Sequence, residues 1–345
     1  MTSILFLAPT ESDGSLSKPA LEALTAARQL KDSLGGDLQL VVGLIGTDIQ
    51  AAADKIASCG ADQFVSVTGP EFGVSRYSTD SQAIAGLVKA TNATIVLAPA
   101  TSRVTRVLPG AAQRCGGCID TQVAGISVDG GKVQIQRWYY RQRMVATLSR
   151  DARPWFLSIA PGIFDTWQGD AGTANVESVT VELDAGATRT KVVGTKAADT
   201  NTQTIRPEAD LLIVAGAGWT KKQSDGQSHV PEAEVILLEF LNQTQASLGS
   251  SKSLVDQDAE GQQVMGFLSH MNQVGQTGST PRHPKGLATC CHGEEPHVVG
   301  WRFIHQRRAV NTDANCSWAQ GKADVLYVAD AFEVMKKVNE LLANG

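Results

Sequence analysis

Short, uninterrupted apolar runs constrain this chain more than any other feature. Ile4-Leu5-Phe6-Leu7-Ala8 and Thr94-Ile95-Val96-Leu97-Ala98 lack the polar alternation of a strand with one wet face. Strands of this kind are buried on both sides, the condition found in a parallel sheet covered by helices above and below. The intervening segments carry helical patterns. Ser17 and Pro19 mark the start of a helix whose apolar face includes Leu21, Leu24, Ala27 and Leu30. Residues 38–45 and 63–67 read as further strands, and residues 48–59 and 79–91 as helices.

From Val123 the pattern changes. Residues 126–135 predict a hairpin turning at Asp129-Gly130-Gly131, and 144–149 and 155–160 predict further strands, so the sheet ends in a mixed or antiparallel edge. Residues 168–205 are rich in Gly, Ala, Thr, Asp and Lys and read as a connector carrying one strand at 176–183. A second α/β pattern begins near Arg206. It has a strand at 210–215 running into Gly216-Ala217-Gly218 and one long helix over 231–248. Short strands follow near 288–291, 308–311 and 324–329, and a closing helix is capped by Asp330. The expected fold class is α/β in two domains, each a mainly parallel sheet flanked by helices. The boundaries are 1–195 for the N-terminal domain, 196–205 for a linker and 206–345 for a Rossmann-like C-terminal domain.

Charge narrows the partners. The net charge of −5 argues against nucleic acid, whose binders carry a basic face. The first residues have no basic region ahead of their short apolar run, and no segment approaches eighteen consecutive apolar residues. A cytoplasmic protein without direct membrane insertion is expected, its six cysteines reduced.

Three polar loops follow strands in the second domain. Gly216-Ala217-Gly218 is either a tight strand-to-helix turn or a phosphate cradle. Gly275-Gln276-Thr277-Gly278 combines close backbone access with two hydrogen-bonding side chains. Cys291-His292-Gly293-Glu294-Glu295-Pro296-His297 follows soon after. In open α/β sheets ligands bind beyond the carboxyl ends of strands, so the three loops together suit one nucleotide crevice. Cys115-Gly116-Gly117-Cys118 has metal-ligand spacing, but a single CxxC is half a site and its neighbours suit a packed helix end. Residues 139–143, Tyr-Tyr-Arg-Gln-Arg, suit either an interface or an edge strand with solvated charges. His270, His283 and His305 have no companion spacing and read as surface histidines.

These pieces, in this order and spacing, resemble the α subunit of electron-transfer flavoproteins. The N-terminal matches are residues 15–28, Leu97-Ala98-Pro99-Ala100-Thr101 and Val107-Leu108-Pro109. The C-terminal matches are Arg206-Pro207-Glu208, Ser251-Lys252 through Asp256, residues 273–278, Asn311 with Asp313, and Ala323-Asp324 ahead of Val328-Ala329-Asp330. The resemblance implies an αβ heterodimer with FAD in the α C-terminal domain, shielded by the β subunit. It also implies electrons accepted from a flavin-dependent dehydrogenase and passed to a membrane quinone oxidoreductase. By the same resemblance Thr277 of the turn Gly275-Gln276-Thr277-Gly278 lies near flavin N5, Ser251 near the pyrophosphate and Lys252 near the ring. His292, Gly293, Glu294 and His297 belong to the segment around the ribityl chain and ring, and Asn311 and Asp324 hold the adenosine half.

The chain also departs from that family. Gly218, followed by Trp219, stands where the family has an arginine, Lys252 replaces a ring-facing arginine, and Val298 replaces a histidine that His297 precedes by one place. Lysine is a hydrated point charge where arginine is a planar fork, so an altered flavin potential is expected. Glu294 and Glu295 are unwelcome beside a pyrophosphate. This leaves the alternative of a nucleotide-binding structural subunit of a dehydrogenase complex, its flavin lost or altered. The divergent branch, rather than any residue, favours a donor that oxidises N-methylated amines.

Overall fold

The computed structural model describes residues 3–139, 144–194, 205–206, 209–259, 264–274, 283–290, 301 and 304–344. The chain divides into two compact units, Met1–Thr195 and Lys196–Gly345. The turn at 275–278, the segment 291–298, residues 140–143 and most of the expected linker lie outside the described residues.

The first unit is built on β1 (Ser3–Pro9), α1 (Lys18–Leu34), β2 (Gln39–Gly46), α2 (Gln50–Lys55), β3 (Gln63–Thr68), α3 (Tyr77–Ala90), β4 (Ile95–Pro99) and α4 (Ser102–Arg114). It continues through β5 (Cys118–Asp129), β6 (Lys132–Tyr139), β7 (Met144–Leu148), β8 (Trp155–Ile159) and β9 (Val176–Ser178). The sheet runs β7-β6-β5-β8-β4-β1-β2-β3-β9, parallel from β5 to β9 and antiparallel across β5-β6-β7. Successive residues of β1 feed opposite cores. Ile4, Phe6 and Ala8 pack with α1 residues such as Leu24 and Leu30, whereas Leu5 and Leu7 pack with Leu87 of α3 and Val104 and Leu108 of α4. That two-sided burial is what the unbroken apolar runs predict.

The predicted hairpin turn is present. Gly130 and Gly131 both have positive φ, 54° and 78°, as a two-residue turn between twisted strands requires. The helix expected over 48–59 is confined to Gln50–Lys55. The stretch expected as a strand over 176–183 pairs only at Val176–Ser178, where it extends the sheet beside β3. The Val179 N–H still donates to the Ser66 carbonyl at 2.7 Å, and Val179, Val181 and Leu183 then pack against the core beyond the strand. Tyr139 ends β6, which β7 covers, so the sheet edge is β7.

The second unit contains β10 (Leu211–Ala215), α5 (Val230–Thr244), β11 (Ser247–Ser250), α6 (Lys252–Ala259), β12 (Lys285–Thr289), β13 (Gln306–Asn311), α7 (Ser317–Lys322), β14 (Val325–Val328) and α8 (Ala331–Ala343). All five strands are parallel, in the order β11-β10-β12-β13-β14. One face packs Ile213 and Ala215 on α5 and α8 through Leu237, Phe240 and Met335, and the other packs Leu212 and Val214 with Trp301 and Ile304.

Two expectations are corrected in this unit. The single helix expected over 231–248 is α5 followed by a separate strand. Gln245, at φ 53°, ends the helix in the left-handed region, and buried Ser247–Ser250 pairs with β10. His283 is not a surface histidine. It is fully buried, and its Nε2–H donates to the Arg206 carbonyl at 2.8 Å. His270 and His305 are exposed, as expected.

Candidate functional site

A parallel sheet collects the residues that follow its strands at one edge. In the second unit that edge gathers Gly216 after β10, Ser251 after β11, Cys290 after β12, Asn311 at the end of β13 and Asp330 after β14. The chain leaves β10 for β11 on one side and returns to β12 on the other, so the sheet's switch point lies between β10 and β12, the usual place for a ligand crevice.

The first loop is closed. The Gly216 N–H donates to the Thr289 carbonyl at 2.8 Å and the Gly218 N–H to the Cys290 carbonyl at 3.0 Å. These amides are therefore engaged with β12, and the tight-turn reading of this loop holds. Trp219 is fully buried behind it. Its indole Nε1–H donates to Thr289 Oγ1 at 2.9 Å, and its ring meets Phe332 at a centroid distance of 4.5 Å.

The second loop starts α6. Ser251 is fully buried, its N–H donating to the Ala215 carbonyl at 2.9 Å and its Oγ accepting from the Leu254 N–H at 3.3 Å. Its neighbour Ser250 is also fully buried, and the Oγ of Ser250 has no partner among the described residues. Lys252 is exposed and pairs with Asp256 one turn on, while Asp256 Oδ1 meets His270 Nε2 at 3.0 Å. The Lys252 ammonium first, against a small desolvation cost, and then His270 hold the Asp256 carboxyl below the usual carboxylate range. The Val274 N–H donates to the Ser250 carbonyl at 3.0 Å, which brings the residue preceding Gly275 to the end of β11. Gly249 permits this approach, because a Cβ there would meet the Val274 side chain at 2.4 Å.

Beside β12, β13 and β14 lies a cleft of about 260 Å³, lined by Lys222, Cys290, Asn311, Asp330 and Phe332 among others. Asn311 is 3% exposed. Its Oδ1 accepts from the Asp313 N–H at 3.0 Å, but its Nδ2 donor has no partner among the described residues. Asp330 caps α8, its Oδ1 accepting from the N–H groups of Phe332 and Glu333 at 2.8 and 3.2 Å. Cys290 has φ 57°, a strained setting for a residue with a side chain and one that clusters at ligand sites. An unused buried donor beside an anchored carboxylate suits the hydroxyls and base edge of a nucleoside. Together with the unpartnered Ser250 Oγ these groups fit a dinucleotide lying along the carboxyl edge.

Of the expected site residues, Ser251, Lys252 and Asn311 stand at this edge. Asp324 does not. It precedes β14, accepts from the Arg307 N–H at 2.7 Å and pairs with the Arg307 guanidinium at 2.8 Å. Arg307 is four residues before Asn311, so Asp324 stands about 13 Å along the strand from it. The carboxylate at the cleft is Asp330, which the sequence presents only as a helix cap. Gly275, Gln276, Thr277, Gly278, His292, Gly293, Glu294 and His297 lie outside the described residues. Cys115 ends α4 and Cys118 opens β5, and burial raises both thiols above their ordinary range. Among the described residues no group of three His, Cys, Asp or Glu side chains is placed to hold a metal.

Residues 4–184 match the family described as the electron transfer flavoprotein domain. Over nearly its whole length the chain is similar to Protein FixB of Clostridium saccharobutylicum, at 25% identity covering 97% of this chain and 94% of that protein. It is 25% identical to the electron transfer flavoprotein subunit alpha of Bacillus subtilis, covering 95% and 94% of the two chains. With the corresponding subunit of Clostridium acetobutylicum it shares 27% identity, covering 96% and 94%. A family match over more than half of the chain, and relatives aligned through both units, lead to one conclusion: this chain belongs to the electron transfer flavoprotein family, as a member of the α-subunit type.

Proposed function

We propose that the chain holds FAD along the carboxyl edge of its second sheet and carries electrons on it. The observation that carries this reading is the pairing of the unpartnered Asn311 donor with the Asp330 carboxylate in one cleft, in line with the orphaned Ser250 hydroxyl. Asn311 and Asp330 would hold the adenosine half, and Ser250 and Ser251 the pyrophosphate. Lys252, with residues 275–278 and 292–297, would hold the flavin. When bound, the flavin supplies the redox chemistry. The protein's part is to orient it, screen it from water and set the charge around it.

The electrons would come from a flavin-dependent dehydrogenase, with one acting on N-methylated amines as the favoured donor. They would leave through a membrane quinone oxidoreductase, with the β subunit shielding the cofactor and the complex working in the cytoplasm. No helix among the described residues is long and apolar enough to cross a membrane. A carrier needs no acid, base or nucleophile of its own, and the Asn311 donor with the Asp330 carboxylate suits nucleotide binding at this edge.

The test is the co-purified complex mixed in stopped flow with a substrate-reduced dehydrogenase. Rapid bleaching of a bound flavin, absent when the dehydrogenase substrate is added alone, is the expected result. Reduction by that substrate without the dehydrogenase would contradict the carrier role. A second reading, a nucleotide-binding subunit with altered or lost flavin, is favoured by Trp219, which fills the first loop at the switch point. A complex that retains an adenine nucleotide but shows no flavin absorption would establish it.

A further inference from the structure

One wall of the Asn311–Asp330 cleft comes from a strap outside the sheet. Residues 220–229 double back on themselves through an antiparallel bridge between Lys222 and Ser228, turning at Gly226 with φ 79°. The strap is braced at both ends. Gln223 Nε2 donates to the Gly218 carbonyl at 2.9 Å. At the far end, His229 Nε2 meets Asp225 Oδ2 at 2.7 Å and His229 Nδ1 meets Glu232 at 3.3 Å. Lys222, Gln223 and Ser224 are thereby held against the cleft.

Lys222 is the one cation among the described residues lining this cleft. The amino end of α8 also lies here, but Asp330 already accepts from the N–H groups of Phe332 and Glu333 and adds a negative charge. Among the described residues, Lys222 is therefore the group that offers a positive charge to an anion entering the cleft. We propose that Lys222 is a phosphate-binding, specificity-determining residue, whose ammonium holds a phosphate of the adenine nucleotide whose sugar lies against Asn311 and Asp330. This deepens the nucleotide reading above and depends on it. An ammonium–phosphate contact is charge-assisted, and its loss weakens binding about tenfold. A neutral nucleoside, which has no phosphate, gains nothing from it.

The experiment is calorimetric titration of the full-length chain, stripped of nucleotide by dialysis against chaotropic salt, with ADP and separately with adenosine. Lys222→Ala should weaken ADP about tenfold, leave adenosine within about twofold, and be rescued by Lys222→Arg. Lys222 is exposed, so the thermal unfolding midpoint should not move. Unchanged ADP affinity in Lys222→Ala, with ADP still bound, would overturn the role of Lys222 and leave the nucleotide reading standing. Equal weakening of ADP and adenosine would also overturn it, by showing that only the strap had been disturbed. If the wild-type chain binds neither ADP, adenosine nor FAD, both this role and the nucleotide reading fall.

Discussion

Asn311 and Asp330 line one cleft, whereas Asp324, nearer to Asn311 in sequence, stands at the other end of β14 against Arg307. The parallel register that pairs Asn311 with Val328 produces this arrangement, because it carries the residues just after β14 to the carboxyl edge. Asp330→Ala should lower the nucleotide content of the purified chain and cost about 1 kcal/mol of stability through the lost cap. Asp324→Ala should leave nucleotide content unchanged and cost at most about 1 kcal/mol, as expected for a half-exposed ion pair. Nucleotide quantified after heat release, alongside urea unfolding, separates the two.

Asp256 neutralises Lys252 in the structure. If Lys252 stands beside the flavin, removing its counter-charge exposes the ring to a fuller positive charge and stabilises the reduced form. Asp256→Asn should therefore raise the flavin midpoint potential, and Lys252→Ala should lower it. Both groups are partly exposed, which limits the shift to about 30 mV, the two-electron equivalent of about 1.4 kcal/mol. A potentiometric titration of the two variants in the complex measures it.

Gly249→Ala should loosen the cofactor without touching it. The added methyl meets Val274 on the segment leading to residues 275–278. Overpacking of this kind costs about 1–3 kcal/mol, and the strain falls on the loop expected at the flavin. Reduced flavin retention on gel filtration, together with a lowered unfolding midpoint, is the expected outcome.

The first unit carries its own pH-dependent element. Asp120 is fully buried. Burial alone would raise its pKa, but hydrogen bonds from Arg150 and from Trp155 Nε1, at 2.9 Å, and the nearby charges of Arg150 and Arg137 outweigh burial and lower it. A carboxyl with a lowered folded-state pKa stabilises the fold above its unfolded value of about 3.9, and that contribution is lost as pH falls through the folded value. Asp120→Asn should thus destabilise the chain at pH 7 by about 1–3 kcal/mol, with the gap from wild type closing below about pH 4. Urea midpoints measured across that range provide the check.

What could be read from the residues follows what local physics encodes. The runs at Ile4–Ala8 and Ile95–Ala98 announced a doubly covered parallel sheet, because burial on both faces removes polar alternation. The Gly130-Gly131 turn was legible because two successive positive φ angles demand such residues. The strand Ser247–Ser250 was not, since Ser-Leu-Gly-Ser has no apolar pattern and owes its burial to β10 and Val274. His283 looked exposed because its partner, the Arg206 carbonyl, lies 77 residues away. Choosing between Asp324 and Asp330 required the direction of β14, which composition and spacing do not contain. The strap that presents Lys222 carries no motif, and only its folded position shows what it faces.

The central claim, that the second unit holds FAD at the edge where Asn311 and Asp330 meet, is tested most directly by one visible absorption spectrum of the co-purified complex, recorded for wild type and for Asp330→Ala. Flavin bands close to one FAD per chain in the wild type, strongly reduced in the variant, are the predicted result. A wild-type complex without flavin bands, or a variant that keeps its full flavin content, would contradict it.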